Sequence, residues 1–100
     1  MEPGAGDDAG AETAPITVRY WASARAAAGV ESDDLPVTGP LSLADVVRRA
    51  AALHPGTRLG GVLEACSVLL GDQPVKSRDP DVVLVRPGQS VEFLPPFAGG

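Results

Sequence analysis

The sequence predicts an α+β fold in which one main helix packs on one face of a sheet. Polar and apolar residues alternate at residues 16–21 and again at 90–94, near the two ends of the chain, and this period of two is typical of strands. Between them, residues 42–54 repeat apolar side chains every three or four positions, which indicates an amphipathic helix. Strands at both ends with a helix between them favour a helix packed on one face of a sheet.

The first strand is followed by a short helix and a weaker strand. Alternation places three apolar side chains on one face of the first strand: Ile16, Val18 and Tyr20. Ser23 precedes the good helix formers of residues 24–28, and Gly29 is a typical C-terminal cap. Residues 30–38 predict the second strand, and Pro36 places it at a sheet edge because proline cannot donate a ladder hydrogen bond.

The central helix has clear boundaries. Its apolar stripe consists of Leu43, Val46, Val47, Ala50 and Leu53. Ser42, with Asp45 three residues later, resembles a capping box at the start, and Pro55-Gly56 ends the helix after His54. The stripe is expected to face the sheet.

The second half of the chain predicts one more helical segment and several strands. The helical segment is expected at residues 57–66, and short strands are expected at 68–70, 73–76 and 82–85. Gly71-Asp72 suits a tight hairpin turn between the first two of these strands. The closing strand, residues 90–94, should direct Val91 and Phe93 inward.

The chain divides into three parts by composition. Residues 1–14 are rich in Gly, Ala, Asp and Glu, so they predict a disordered acidic tail that cannot bury enough apolar surface to fold. Residues 15–94 predict one domain, in which nine acidic and eight basic residues nearly balance. Residues 95–100 predict an extended C-terminal tail.

Composition argues against several classes of function. The chain has four aromatic residues and no run of basic residues, so nucleic-acid binding is not predicted. No apolar run approaches the roughly 20 residues of a membrane span, and the N-terminus is acidic, unlike a secretory signal. A cytoplasmic location is therefore expected, and the single cysteine, Cys66, is compatible with a reducing compartment.

The last six residues have features that suit a reactive chain end. Gly99 and Gly100 lack a Cβ and can enter a narrow channel, while Pro95 and Pro96 favour an extended segment that reaches about 19 Å. The Gly100 carboxylate is ionised at neutral pH. It is expected to attack the α-phosphate of ATP, after which sulfur can displace AMP from the acyl-adenylate.

Two segments carry a family resemblance: Phe93-Leu94-Pro95-Pro96-Phe97-Ala98-Gly99-Gly100 preceded by Arg86-Pro87-Gly88, and Val18-Arg19-Tyr20-Trp21-Ala22-Ser23-Ala24-Arg25 with Ala28-Gly29. They resemble the MoaD/ThiS sulfur-carrier family, and within it the MoaD branch most closely, over residues 16–100. The resemblance implies a ubiquitin-like β-grasp fold, with a mixed sheet and one main helix packed on one face. The first and last strands should lie side by side at the centre of the sheet.

The resemblance also implies a function and partners. A MoeB-like activating enzyme would adenylate Gly100 with ATP, and a persulfide enzyme would supply the sulfur that replaces AMP. The resulting thiocarboxylate would donate sulfur to a molybdopterin precursor held by a MoaE-like large subunit of molybdopterin synthase. In that role the chain is the small, sulfur-donating subunit, and it catalyses nothing and binds no cofactor of its own.

The sulfur acceptor and the class of function stay open at this point. Gly71-Asp72-Gln73 stands where the family usually has Asn-Gly-Glu, and residues 76–81 form a longer segment than usual. The sulfur could instead serve thiamin, cysteine or a sulfur-containing natural product. The chain could also be a ubiquitin-like modifier that is joined through Gly100 to lysines of other proteins, or a scaffolding domain without chemistry.

The expected partner-binding residues lie around the tail: Trp21, Leu94, Pro95, Pro96, Phe97, Ala98 and Gly99. Exposed apolar side chains often mark interfaces, although ordinary packing explains Trp21, Leu94 and Phe97 equally well. His54 is interpreted as a polar cap at a helix end, and Cys66 as a core residue on the apolar stripe of its helix. One histidine and one cysteine are too few for a zinc site, so no metal is predicted.

Overall fold

A computed structural model describes residues 13–76 and 79–96. Its seven strands are β1 (Ile16–Tyr20), β2 (Ser32–Leu35), β3 (Leu41–Ser42), β4 (Ser67–Leu70), β5 (Gln73–Pro74), β6 (Leu84–Val85) and β7 (Ser90–Leu94). The three helices are α1 (Ala22–Ala28), α2 (Leu43–Ala52) and α3 (Leu59–Ala65). The predicted acidic tail lies almost entirely outside the described residues.

The main sheet has five strands in the order β2-β1-β7-β4-β5. At its centre β1 and β7 pair in parallel, with Val18 opposite Val91 and Tyr20 opposite Phe93, whereas the other neighbours are antiparallel. This confirms the mixed sheet and the central position of the first and last strands. β2 is an edge strand, as predicted, but it ends at Leu35, before Pro36, and is shorter than the predicted residues 30–38.

One face of the sheet forms the hydrophobic core. Ile16, Val18, Val91 and Phe93 are completely buried, and Tyr20 is 2% exposed. The helices supply the opposing side chains: Ala24, Ala28, Leu43, Val46, Ala50, Leu59 and Leu63. The alternation in β1 and β7 is therefore what directs these strands' large side chains toward the helices.

The main helix starts as predicted and ends earlier. The Ser42 hydroxyl accepts a 3.1 Å hydrogen bond from the backbone N–H of Asp45, which satisfies a donor of the first turn. The predicted end at His54 and the assignment of Leu53 to the buried stripe were wrong. The helix ends at Ala52, and Leu53 is its C-cap, whose side chain is 50% exposed.

The first helix begins two residues before the predicted start. Ser23 does not cap it, because the N-cap is Trp21 and Ser23 lies inside the helix. The predicted C-terminal cap is correct: Gly29 has φ of +79° and its N–H donates to the Arg25 carbonyl. A left-handed residue at this position is most easily supplied by glycine.

Two features differ from the predictions. β6 lies within the predicted strand at residues 82–85, but its partner β3 was not predicted, because two residues are too few to show alternation; β3 and β6 form a separate two-stranded sheet in which Leu41 lies opposite Val85. The segment with Gly60 and Gly61, where irregularity was expected, is a regular helix whose Leu59 and Leu63 are buried. Among the described residues, no helix has the length and apolar composition needed to cross a membrane.

Candidate functional site

The C-terminal tail leaves the main sheet from its central region. β7 ends at Leu94, and Pro95 and Pro96 are exposed. The remaining predicted tail residues, Phe97, Ala98, Gly99 and Gly100, lie outside the described residues, so their predicted roles stay predictions. What the structure describes is the base of the tail and the side chains around it.

Two neighbouring strands fix the direction in which the tail leaves. β7 lies between β1 and β4, with Phe93 opposite Tyr20 on one side and Leu94 opposite Ser67 on the other. A strand paired along both edges has both rows of backbone groups hydrogen-bonded. Pairing on both edges therefore holds β7, and with it the base of the tail, in a fixed position in the sheet.

Trp21 contacts the last strand through two hydrogen bonds. Its backbone N–H donates to the Phe93 carbonyl over 3.1 Å, and its indole Nε1 donates to Glu92 Oε1 over 2.9 Å. The residue is nevertheless 40% exposed. The indole is therefore held in place by its polar edge while much of its apolar surface remains open to solvent.

Trp21 and Leu94 share the outer face of the sheet, opposite the helices. Glu92, two residues before Leu94 on β7, accepts the hydrogen bond from the Trp21 indole, and Leu69 of β4 lies opposite Glu92. Leu69 and Leu94 are half-buried. We call Trp21, Leu69, Glu92 and Leu94 the tail-root surface, in which the exposed Trp21 ring lies beside two half-buried leucines.

Leu69 was not among the residues predicted for this site. Val68 and Leu70 are apolar too, so β4 lacks the polar alternation that would have shown which side chain faces outward. The register with β7 decides it, because Val68 lies opposite the inward-facing Phe93. Leu69, which lies between Val68 and Leu70 in β4, therefore faces the outer side of the sheet.

The backbone next to Trp21 is unusual. Among the described residues, Ala22 is the one non-glycine with a positive φ, at +49°, a conformation that non-glycine residues rarely adopt. Trp21 itself is extended, with φ of −127° and ψ of 152°. The backbone therefore changes from strand to helix at Ala22. The Trp21 side chain, just before this change, lies against β7 and donates to Glu92.

His54 takes part in a hydrogen-bond network rather than capping a helix, so the predicted role was wrong. Its Nε2 lies 2.6 Å from Asp33 Oδ2, and the Tyr20 hydroxyl donates to the same oxygen over 2.8 Å. The network joins β1, β2 and the end of α2. Asp33 is 21 residues from His54 in the chain, and local sequence patterns cannot reveal such a pairing.

The same network changes the titration of Tyr20. Burial, the hydrogen bond to Asp33 and the charge of Asp33 together raise the pKa of the Tyr20 phenol far above its usual range. All three causes favour the neutral phenol. Tyr20 and His54 also pack edge to face, with ring centroids 6.1 Å apart.

Cys66 behaves as a packing residue, as predicted. Its side chain is half-buried against the core, and its Sγ donates to the Val62 carbonyl over 3.2 Å. Burial raises the pKa of the thiol. The thiolate, which is the nucleophilic form, is therefore disfavoured at neutral pH.

Comparisons with known proteins agree with this geometry. The model of the ThiS family matches residues 18–100. A molybdopterin synthase sulfur carrier subunit of Aspergillus niger is 32% identical over 83 residues, which are 83% of this chain and 91% of that protein.

Solved structures share the fold. The Haloferax volcanii HVO 2177 protein has a TM-score of 0.66 and 27% identity, over 95% of this chain and 92% of its own. Small archaeal modifier protein 1 of Haloferax volcanii has a TM-score of 0.67 and 16% identity, over 84% of this chain and 99% of its own. With the family model matching residues 18–100 and the Aspergillus relative 32% identical over most of both chains, the chain belongs to the ThiS family.

Proposed function

We propose that this chain is a sulfur carrier whose Gly100 carboxylate is converted to a thiocarboxylate and donates its sulfur in molybdopterin synthesis. Family membership and the name of the Aspergillus relative support this proposal. The observation that carries it is the exposed Trp21 indole, which hydrogen-bonds to the last strand beside the base of a tail that ends in Gly99-Gly100.

The chemistry takes place at the carboxylate and is catalysed elsewhere. A carboxylate oxygen attacks the α-phosphorus of ATP, pyrophosphate leaves, and the carbonyl now carries AMP as a leaving group. The terminal sulfur of a cysteine persulfide attacks this carbonyl and expels AMP. A second thiol then cleaves the sulfur–sulfur bond, which leaves the thiocarboxylate on Gly100 and a disulfide on the donor.

The domain contributes a docking surface. The tail-root surface offers apolar side chains and one carboxylate at the base of the tail, and such a patch can bind a partner while the tail enters its active site. The proposed partners are a MoeB-like adenylating enzyme, a persulfide sulfur donor and a MoaE-like large synthase subunit. The proposed location of the carrier and of these reactions is the cytoplasm.

Mass spectrometry tests the proposal. The purified protein is first weighed to establish that Gly100 is its last residue. It is then incubated with ATP, the activating enzyme and a persulfide donor, and fragment spectra should show one sulfur in place of one oxygen on Gly100. Added sulfur on Cys66 with an unchanged Gly100 would overturn the proposal.

The sulfur-loaded protein also distinguishes between the candidate functions. Sulfur transfer from the loaded carrier to a molybdopterin precursor on the large subunit supports the proposed acceptor. If Gly100 is loaded with sulfur but the sulfur is not transferred to the molybdopterin precursor, the carrier serves another sulfur acceptor. Isopeptide bonds from Gly100 to lysines of other proteins indicate a ubiquitin-like modifier.

A further inference from the structure

An arginine adjoins the tail-root surface on the outer face of the sheet. Val18 and Tyr20 of β1 are buried on the helix side, so Arg19, which lies between them, faces outward. The parallel register of β1 and β7 places Arg19 opposite Glu92. The two side chains therefore leave neighbouring strands on the same face, from backbones about 4.8 Å apart.

The Arg19 guanidinium has no partner in the free protein. Among the described residues it makes no hydrogen bond or ion pair, and its side chain is exposed. Its neighbour on the other side, Ser32 of β2, carries no charge. Glu92 is therefore the carboxylate that lies directly opposite Arg19 in the sheet.

Glu92 has one hydrogen bond, although a carboxylate can accept several. Its Oε1 accepts from the Trp21 indole over 2.9 Å, while its Oε2 has no partner among the described residues. The side chain is half-buried, with Leu69 of β4 opposite it. The remaining acceptor capacity of this carboxylate is left to solvent.

A partner that covers the tail-root surface removes this solvent. The inference rests on the proposed function, in which the large synthase subunit binds the Trp21 ring and Leu94 at the base of the tail. Glu92 is bonded to that ring and lies two residues before Leu94, so it is covered with them. Removing water from a carboxylate without supplying a new donor is costly. Docking therefore requires a further donor for Glu92.

We propose that Arg19 is this donor, and that its guanidinium closes onto Glu92 when the large synthase subunit covers the tail-root surface. The planar guanidinium carries five N–H donors and is less strongly hydrated than a lysine ammonium, so it suits a pair that loses solvent. Because the charge of Glu92 is matched within this chain, the partner has only to present an apolar surface to Trp21 and Leu94. Arg19 is thus a positioning residue that acts through Glu92.

A double-mutant cycle tests the proposal, with binding of the large synthase subunit measured by calorimetry. Arg19→Ala should weaken binding about tenfold, which corresponds to about 1.4 kcal/mol, because it leaves a covered carboxylate without its cation. In the Glu92→Gln background the same substitution should weaken binding less than twofold, because a neutral amide needs no cation. Arg19→Lys should weaken binding less than Arg19→Ala, since it keeps the charge and loses the planar fork.

Two controls separate this pair from general charge effects. Arg86 is an exposed arginine before the start of β7, at the end of the strand away from the tail, and Arg86→Ala should leave binding unchanged. Asp34 is a second carboxylate on the outer face and accepts a 3.0 Å hydrogen bond from the Thr17 hydroxyl. In the Asp34→Asn background, Arg19→Ala should keep its full tenfold effect. Thermal denaturation of each variant establishes that it is folded.

Two outcomes of the cycle would overturn the proposal. An equal loss of binding with and without Glu92→Gln would assign the guanidinium to a carboxylate of the partner. Full binding by Arg19→Ala would mean that the donor to Glu92 comes from the partner.

Nuclear magnetic resonance of the complex gives a second measure. The Nε–H proton of Arg19 should exchange slowly with water only when the large subunit is bound, and Glu92→Gln should make this exchange faster. Fast exchange in the wild-type complex would contradict closure of the pair. Sulfur loading of Gly100 and binding of the wild type test the proposed function, whereas the coupling between Arg19 and Glu92 tests this inference, so the two failures are distinguishable.

Discussion

The indole nitrogen of Trp21 donates a 2.9 Å hydrogen bond to the Glu92 carboxylate, which links the end of β1 to β7 two residues before β7 ends. The two residues are 71 positions apart in the chain. Parallel pairing of β1 with β7 brings them together. The bond therefore exists only because the first and last strands are neighbours, and it places an exposed aromatic ring at the base of the tail.

Trp21→Ala should weaken binding of the large synthase subunit by about 2 kcal/mol or more, about thirtyfold, because truncating an interface tryptophan commonly costs this much. Stability should change less, since the side chain is 40% exposed. Calorimetry measures the binding and thermal denaturation measures the stability. Leu53→Ala is the matched control, because Leu53 is also exposed, at 50%, and lies at the end of α2. Equal loss of binding in both variants would contradict the assignment of the tail-root surface.

Adding one alanine after Gly100 should abolish adenylation and leave the melting temperature and large-subunit binding nearly unchanged. An extra extended residue moves the carboxylate by roughly 3 Å, and productive attack requires reacting atoms about 3–3.5 Å apart. ATP–pyrophosphate exchange with the activating enzyme measures the reaction. Normal exchange by the extended protein would show that the position of the chain end does not matter.

Stability should fall at high pH because of Tyr20. The folded state raises the pKa of the phenol, so the unfolded state loses this proton first, above about pH 10. The contribution of Tyr20 to stability is thus complete below pH 10 and decreases as pH rises beyond it. Denaturant titrations at pH 8 and pH 11 should show a larger loss for the wild type than for Tyr20→Phe.

Spectroscopy gives an independent check, because Tyr20 is the only tyrosine in the chain. Its ultraviolet absorbance should show ionisation at a higher pH in the folded protein than in denaturant. An identical titration in both states would contradict the hydrogen bond to Asp33.

Cys66→Ser should reduce the free energy of unfolding by about 1 kcal/mol, because a half-buried thiol is replaced by a more polar hydroxyl. Sulfur loading of Gly100 should be unaffected, since burial raises the pKa of the thiol and disfavours its nucleophilic form. Chemical denaturation and mass spectrometry measure the two properties. A folded variant that fails to accept sulfur would mean that Cys66 takes part in the reaction.

Gly61→Ala should stabilise the protein by about 0.5–1 kcal/mol, because alanine favours the helix and nothing lies within 4 Å of the new Cβ. Gly29→Ala should instead destabilise it by about 1 kcal/mol, since φ is +79° there and the space around it is equally open. Thermal denaturation of both variants compares the two effects. A gain in stability at both positions would contradict the left-handed cap of α1.

The sequence by itself determined the elements whose side chains follow a local pattern. Alternation in β1 and β7, the Ser42 cap of α2 and the left-handed Gly29 all depend on neighbouring residues, and each is present in the structure. The family resemblance also depends on contiguous motifs, at residues 18–25 and 93–100, which can be read without knowing the fold. The sequence did not determine the end of α2, because the helix ends at Ala52 although the apolar pattern continues to Leu53.

Only the tertiary structure decided which distant residues meet. The pairing of Trp21 with Glu92, the outward position of Leu69 and the network of Tyr20, Asp33 and His54 follow from strand order and register. These contacts join residues far apart in the chain, and the free energy that selects them comes from burial of the whole core. No local sequence pattern indicates which distant residues will pair. The sequence therefore predicts a helix-end role for His54, whereas in the fold His54 contacts Asp33.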